Sequence, residues 1–113
     1  MTRDYGDYLE DIATSIRDAR RFVKGMTLAG FRRDKKTQNA VIRSVEVVGE
    51  AAKKIPPSLR ERYPGIPWKK MAGMRDKLAH EYFGIDLAML WKVVQEDLPP
   101  LLPVVVKALR EQA

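Results

Sequence analysis

The chain has 113 residues, no cysteine, one histidine and a formal net charge of +6, with a pI near 9.7. That length predicts one domain over residues 1–113, small enough that a partner subunit would add appreciable burial. Zero cysteines exclude a disulfide framework, a thiolate nucleophile and a zinc–thiolate site. No run approaches the roughly 20 apolar residues of a membrane span, and the acidic, aromatic N-terminus is unlike a signal peptide, so a cytoplasmic location is the default expectation.

From Tyr5 to Val23 the residues Tyr5, Tyr8, Leu9, Ile12, Ile16, Ala19 and Val23 recur at three- and four-residue steps, the stripe of an amphipathic helix that Gly25 and Met26 end. A basic run follows: Arg17, Arg20, Arg21, Lys24, Arg32, Arg33, Lys35 and Lys36 stand against only Asp18 and Asp34. Such a run is first of all what a solvated helix face carries, and a surface that tracks phosphates is the other reading. A second long helix is predicted with Asp34 as N-cap, carrying Val41, Val45, Val48, Ala52 and Ile55 on one face until Pro56-Pro57 stops it. The two stripes suggest an antiparallel pair sharing one apolar seam.

Between Pro56 and Ile66 proline and glycine mark a loop with one helical turn around Ser58 to Arg62. Pro67 suits the first position of a third helix running to about His80, with Gly84 as the interruption and Asp86 as the next N-cap. Leu87 to Gln95 form the fourth helix. Pro99, Pro100 and Pro103 force a break or kink before a last apolar helix, Leu101 to Leu109. The fold class is therefore all-α, an antiparallel bundle of about five helices without a strand pattern or an internal repeat.

The chemistry concentrates in Arg75-Asp76-Lys77-Leu78-Ala79-His80-Glu81-Tyr82. Imidazole titrates near neutrality, guanidinium presents a fixed fork of donors to a phosphate, and a carboxylate four residues before a histidine can orient it. Met71, Met74 and Leu78 form the expected core stripe, and His80 falls roughly opposite them. Ala72, Gly73 and Ala79 make a small-residue flank, which suits either tight packing within the chain or close approach of a partner. Arg75 lies about 140° around a straight helix from His80. Either its long stem wraps around, or the site is completed across a twofold axis by a second chain. Tyr82 can swing toward the cleft because Gly84 lets the chain leave helical geometry, and an aromatic lid on the helix junction fits the same residue. Arg43, Glu46 and Glu50 read as surface pairs at three- and four-residue spacing.

Arg75-x4-His80-x-Tyr82 followed by Gly84-Ile85-Asp86 resembles the motif of the HepT toxins, members of the HEPN superfamily of all-helical ribonucleases. Thr37 to Arg43 leading to Val48-Gly49-Glu50-Ala51-Ala52-Lys53 is similar to the long helix of that family, and Ile66-Pro67-Trp68 is also family-like. The resemblance spans about Asp4 to Leu98. Asp76 departs from it, since many relatives carry Asn there.

The resemblance implies a HEPN-like bundle and a homodimer with the motif residues facing each other across a cleft. It implies a metal-independent endoribonuclease toxin of a type VII-like toxin–antitoxin pair, needing no cofactor and no metal. Arg75 and His80 are then the catalytic residues, on an RNA substrate. Asp76 supports His80, Tyr82 supports substrate positioning, and a minimal nucleotidyltransferase antitoxin attaches AMP to Tyr82. For Glu46 and Glu50 it implies support of the third helix. The alternative of another class is a noncatalytic helical module that docks a nucleotidyltransferase or nucleic acid through the same cleft.

Overall fold

A computed structural model describes residues 5–79 and 86–112, with the side chains of Arg75, Lys77, Leu78 and Ala79 left aside. Seven α-helices and one π-helical turn follow in chain order: α1 Tyr5–Phe22, α2 Leu28–Arg32, α3 Lys35–Lys54, α4 Pro57–Arg62, α5 Trp68–Ala79, α6 Leu87–Lys92, the π turn Val93–Asp97, and α7 Leu101–Glu111. The bundle is all-α among the described residues. Its helix number exceeds the expected five because α2 and α4 are short elements, while α6 continues without a break into the π turn.

The long helices form where periodicity predicts them. Leu9, Ile12, Ile16 and Ala19 of α1 are buried, as are Val41, Val45, Val48 and Ala52 of α3. Each fully buried aliphatic side chain contributes about 1.5–3 kcal/mol of transfer free energy. Tyr5, at the edge of the α1 stripe, is 48% exposed and adds little to the seam. Tyr8 and Asp11 of α1 share a cleft with Glu50 and Lys54 near the end of α3, whereas Asp18 and Phe22 share one with Ala40 near its start. The pair therefore runs antiparallel. α7 closes the core from another side of α1, burying Leu101, Val105 and Ala108.

Local chemistry sets the ends of these elements. Gly25 reverses the chain after α1 with φ +78°, a left-handed conformation that glycine adopts without penalty. Asp34 caps α3: its Oδ1 accepts from the Thr37 N–H at 3.0 Å and its Oδ2 from the Thr37 hydroxyl at 2.7 Å, and these bonds hold its carboxyl below the ordinary value. At the other end of α3, the Arg60 guanidinium donates to the carbonyls of Ile55 (2.9 Å) and Ala52 (2.8 Å), the second of which also accepts from the Ile55 N–H at 3.3 Å. Asp86 caps α6 through the Met89 N–H at 3.1 Å. The Leu98 N–H reaches the Val93 carbonyl at 2.9 Å, the five-residue step that defines the π turn. Pro99 and Pro100 then end the segment, but Pro103 lies inside the first turn of α7 and breaks nothing, because a first-turn N–H has no partner to lose.

Candidate functional site

Trp68 fixes the start of α5. Its indole ring is buried, its Nε1–H donates to the Tyr63 carbonyl at 3.1 Å, and its backbone N–H donates to Ile66 at 2.8 Å. Tyr63 is itself held: its hydroxyl donates to Glu111 Oε2 at 2.5 Å and accepts from Gln112 Nε2 at 3.3 Å. The bond to Glu111 raises the phenol above its usual range. The loop before the motif helix is thereby tied to the end of α7.

Met71 and Met74 occupy the core, as their spacing predicts, while the Leu78 side chain lies outside the described residues. The Arg75 backbone stands in the last half of α5, and Asp76 follows it with its side chain half exposed. His80, Tyr82 and Gly84 lie outside the described residues. Of the expected site residues, the structure thus fixes the Arg75 backbone and the whole of Asp76.

Asp76 has a partner that sequence reasoning missed. Lys53, near the end of α3, donates from Nζ to Asp76 Oδ1 at 3.2 Å, with the two side chains 41% and 50% exposed. Twenty-three residues separate them, so no helical periodicity connects the pair. The ammonium holds one carboxylate oxygen of the motif and adds a cation beside it. Lys53 closes the family-like segment of α3, which was the one available signal.

Arg43 and Glu50 instead line a cleft of about 460 Å³ between α1 and α3. Arg43 pairs with Glu46 at 3.8 Å, the i,i+3 contact expected from spacing. Among the described residues neither Glu46 nor Glu50 bonds to α5, and the α3 side chain that does so is Lys53.

Gly73 opens onto an apolar pocket of about 220 Å³ lined by Val45, Met74, Met89 and Val93, with Lys70 and Asp97 at its rim 3.8 Å apart. A methyl group in place of the Gly73 hydrogen would meet no neighbour within 4 Å. Tight packing within the chain therefore does not account for this glycine. Among the described residues no three His, Cys, Asp or Glu side chains converge as metal ligands would, and no helix is long and apolar enough to cross a membrane.

A family model described as ribonuclease HepT-like matches residues 12–108. A protein named as a probable ribonuclease HepT from Thermococcus cleftensis is 52% identical over 101 residues, covering 89% of this chain and 92% of its own length. A protein named as a candidate RNase from Methanocaldococcus jannaschii is 46% identical, covering 86% of this chain and 80% of its own. Another, from Caldanaerobacter subterraneus, is 40% identical over 83% of this chain and 84% of its own. No solved structure matches the chain.

Proposed function

Since the chain belongs to the HepT-like ribonuclease family, we propose that it is a metal-independent endoribonuclease toxin acting in the cytoplasm, with Arg75 and His80 carrying the reaction. The observation that carries this reading is the family match across residues 12–108, which takes in Arg75-x4-His80-x-Tyr82 whole. The packing of α5 supports it. Trp68, Met71 and Met74 anchor the helix from its first two turns, while Asp76 faces solvent beside Lys53.

In the proposed reaction His80 takes the proton of a ribose 2′-hydroxyl, whose oxygen attacks the adjacent phosphorus. The P–O5′ bond breaks, and the leaving oxygen takes a proton from the same histidine of a second copy across a twofold axis. The product is a 2′,3′-cyclic phosphate, so the substrate is RNA and not DNA. Arg75 holds the phosphate by its planar fork and stabilises the charge that builds on it. Asp76 orients His80. In the homodimer, the Ala72, Gly73 and Ala79 flank faces the partner, and the openness around Gly73 leaves room for that approach.

Tyr82 is the proposed control point. AMP attached to its phenolic oxygen by a minimal nucleotidyltransferase places bulk and a negative phosphate where RNA competes for the same cations. Intact mass and RNA cleavage, measured before and after incubation with the partner, ATP and magnesium, test this. Tyr82→Phe escapes the mass gain.

Cleavage of RNA by the purified protein in EDTA, with cyclic-phosphate ends identified by mass spectrometry, tests the central reading. Absence of cleavage, with RNA or nucleotidyltransferase binding intact, returns the noncatalytic module.

A further inference from the structure

We propose that the corner between the end of α1 and the π turn is a second RNA-binding site, one that grips backbone phosphates away from the motif. The inference rests on the ribonuclease reading for its ligand, but its observations are separate. An open cleft of about 540 Å³ lies there, lined by Arg20, Arg21, Lys24 and Gly25 on one side and by Val94 and Gln95 on the other. Gln95 is exposed and adds a side-chain amide to a lining whose other polar side chains are the three cations, with Val23, Met26 and Val94 between them.

The surrounding charge is not consumed by the fold. Residues 17–36 hold eight cations and two acids, and both acids are engaged. Asp18 pairs with Arg21 at 3.2 Å, and Asp34 spends its oxygens on Thr37. Seven of the eight cations therefore have no acid partner among the described residues, and all eight are exposed. Arg20 and Arg21 do complement the C-terminal dipole of α1, which explains those two as helix-stabilising residues. The same rule runs against Lys35 and Lys36. They stand in the first turn of α3, where the dipole disfavours cations and the one acid beside them is the cap Asp34.

The cleft itself is free to take an anion. At the end of α1 the carbonyls of Arg21 and Val23 accept from the N–H groups of Lys24 (3.2 Å) and Met26 (2.9 Å), so these acceptors do not compete for the side-chain donors. The left-handed Gly25 turns the chain sharply and carries no side chain into the opening. Val94 and Gln95 border this cleft, whereas Val93 and Asp97 of the same π turn border the Gly73 pocket on α5. One five-residue element thus separates the basic corner from the motif helix. An RNA strand held at both has its phosphates anchored at the corner while its scissile bond lies at α5.

The test compares Arg20→Gln/Lys24→Gln and Arg20→Glu/Lys24→Glu with a control of equal charge change on α7, Lys107→Gln/Arg110→Gln. The expected loss with an RNA of about 20 nucleotides falls in KM, about tenfold or more for the charge reversal, and the slope of log affinity against log salt drops by about two for two lost phosphate contacts. The α7 control stays within about twofold. Equal KM and salt slope in wild type and the α1 variants overturn the proposal, as does an equal loss in the α7 control, which would mark a net-charge effect. Binding of a 2′-O-methyl RNA of the same length, read by fluorescence anisotropy, keeps the two readings apart. If wild type cleaves no RNA the ribonuclease reading fails. Loss of this binding in the α1 variants still supports the corner, and unchanged binding overturns it.

Discussion

Helix α3 buries residues over more than three turns, from Val41 through Val45 and Val48 to Ala52, whereas the described buried residues of α5 are Trp68, Met71 and Met74, all in its first two turns. The two helices pack against each other with different duties. α3 is a strut capped by Asp34 at one end and by Arg60 at the other. α5 is anchored at its start, by the Trp68 indole on the Tyr63 carbonyl, and carries the motif toward its other end. The difference teaches that half-exposed Asp76, late in α5, can change without emptying the core, while the buried residues of α3 and early α5 cannot. Function and stability should therefore separate under mutation.

The widest separation is expected at His80. His80→Ala should lower RNA cleavage by about 10²-fold or more, the usual range for loss of a general acid or base, with helical circular dichroism and thermal midpoint near wild type. Arg75→Lys should be comparably impaired, since an ammonium keeps the charge but not the fork. Activity within a few-fold of wild type in either variant would remove that residue from the reaction.

In the first turn of α5, Met71→Ala should cost about 2–5 kcal/mol in urea unfolding, because a fully buried side chain leaves a cavity. A loss under about 1 kcal/mol would mean that early α5 is not the anchor described above. Gly73 lies between these extremes. Gly73→Ala should stabilise the fold by up to about 1 kcal/mol, since the added methyl meets open space and alanine favours the helix. Lower activity in this more stable variant would locate a close approach of partner or substrate at α5.

Lys53→Met sharpens the comparison further, because it joins the strut to the motif. Both partners are about half exposed, so stability should fall by less than about 1 kcal/mol. Cleavage should drop by a larger factor than that change explains, and Lys53→Arg should restore it. Equal losses in activity and stability would make the ion pair a mere clamp.

The smallest effect concerns Asp34. Its depressed carboxyl contributes stability that is present above the unfolded value and lost as pH falls through the folded one, because the cap bonds need the ionised form. Asp34→Asn keeps an acceptor without a titration, so its acid unfolding curve should lack that increment. An unchanged acid limb would show that other carboxylates govern it.

The sequence by itself determined the all-α class, the apolar stripes of α1 and α3, the caps at Asp34 and Asp86, and the proline stops, because each depends on residues within one or two turns of each other. It also determined the family, through the motif from Arg75 to Tyr82 and the α3 segment ending in Lys53. Sequence reasoning passed over α2, the π turn, the Arg60 fork and the Lys53–Asp76 pair. α2 is five residues long, too short for a periodic stripe, and is closed from outside by Gln38 Nε2 on the Phe31 and Arg32 carbonyls. Lys53 could have met solvent or any of several neighbours, and only the way α3 packs on α5 brings its ammonium to Asp76. Side chains on different helices meet according to crossing geometry, which is fixed by the packing of whole surfaces and not by the spacing of residues along either helix.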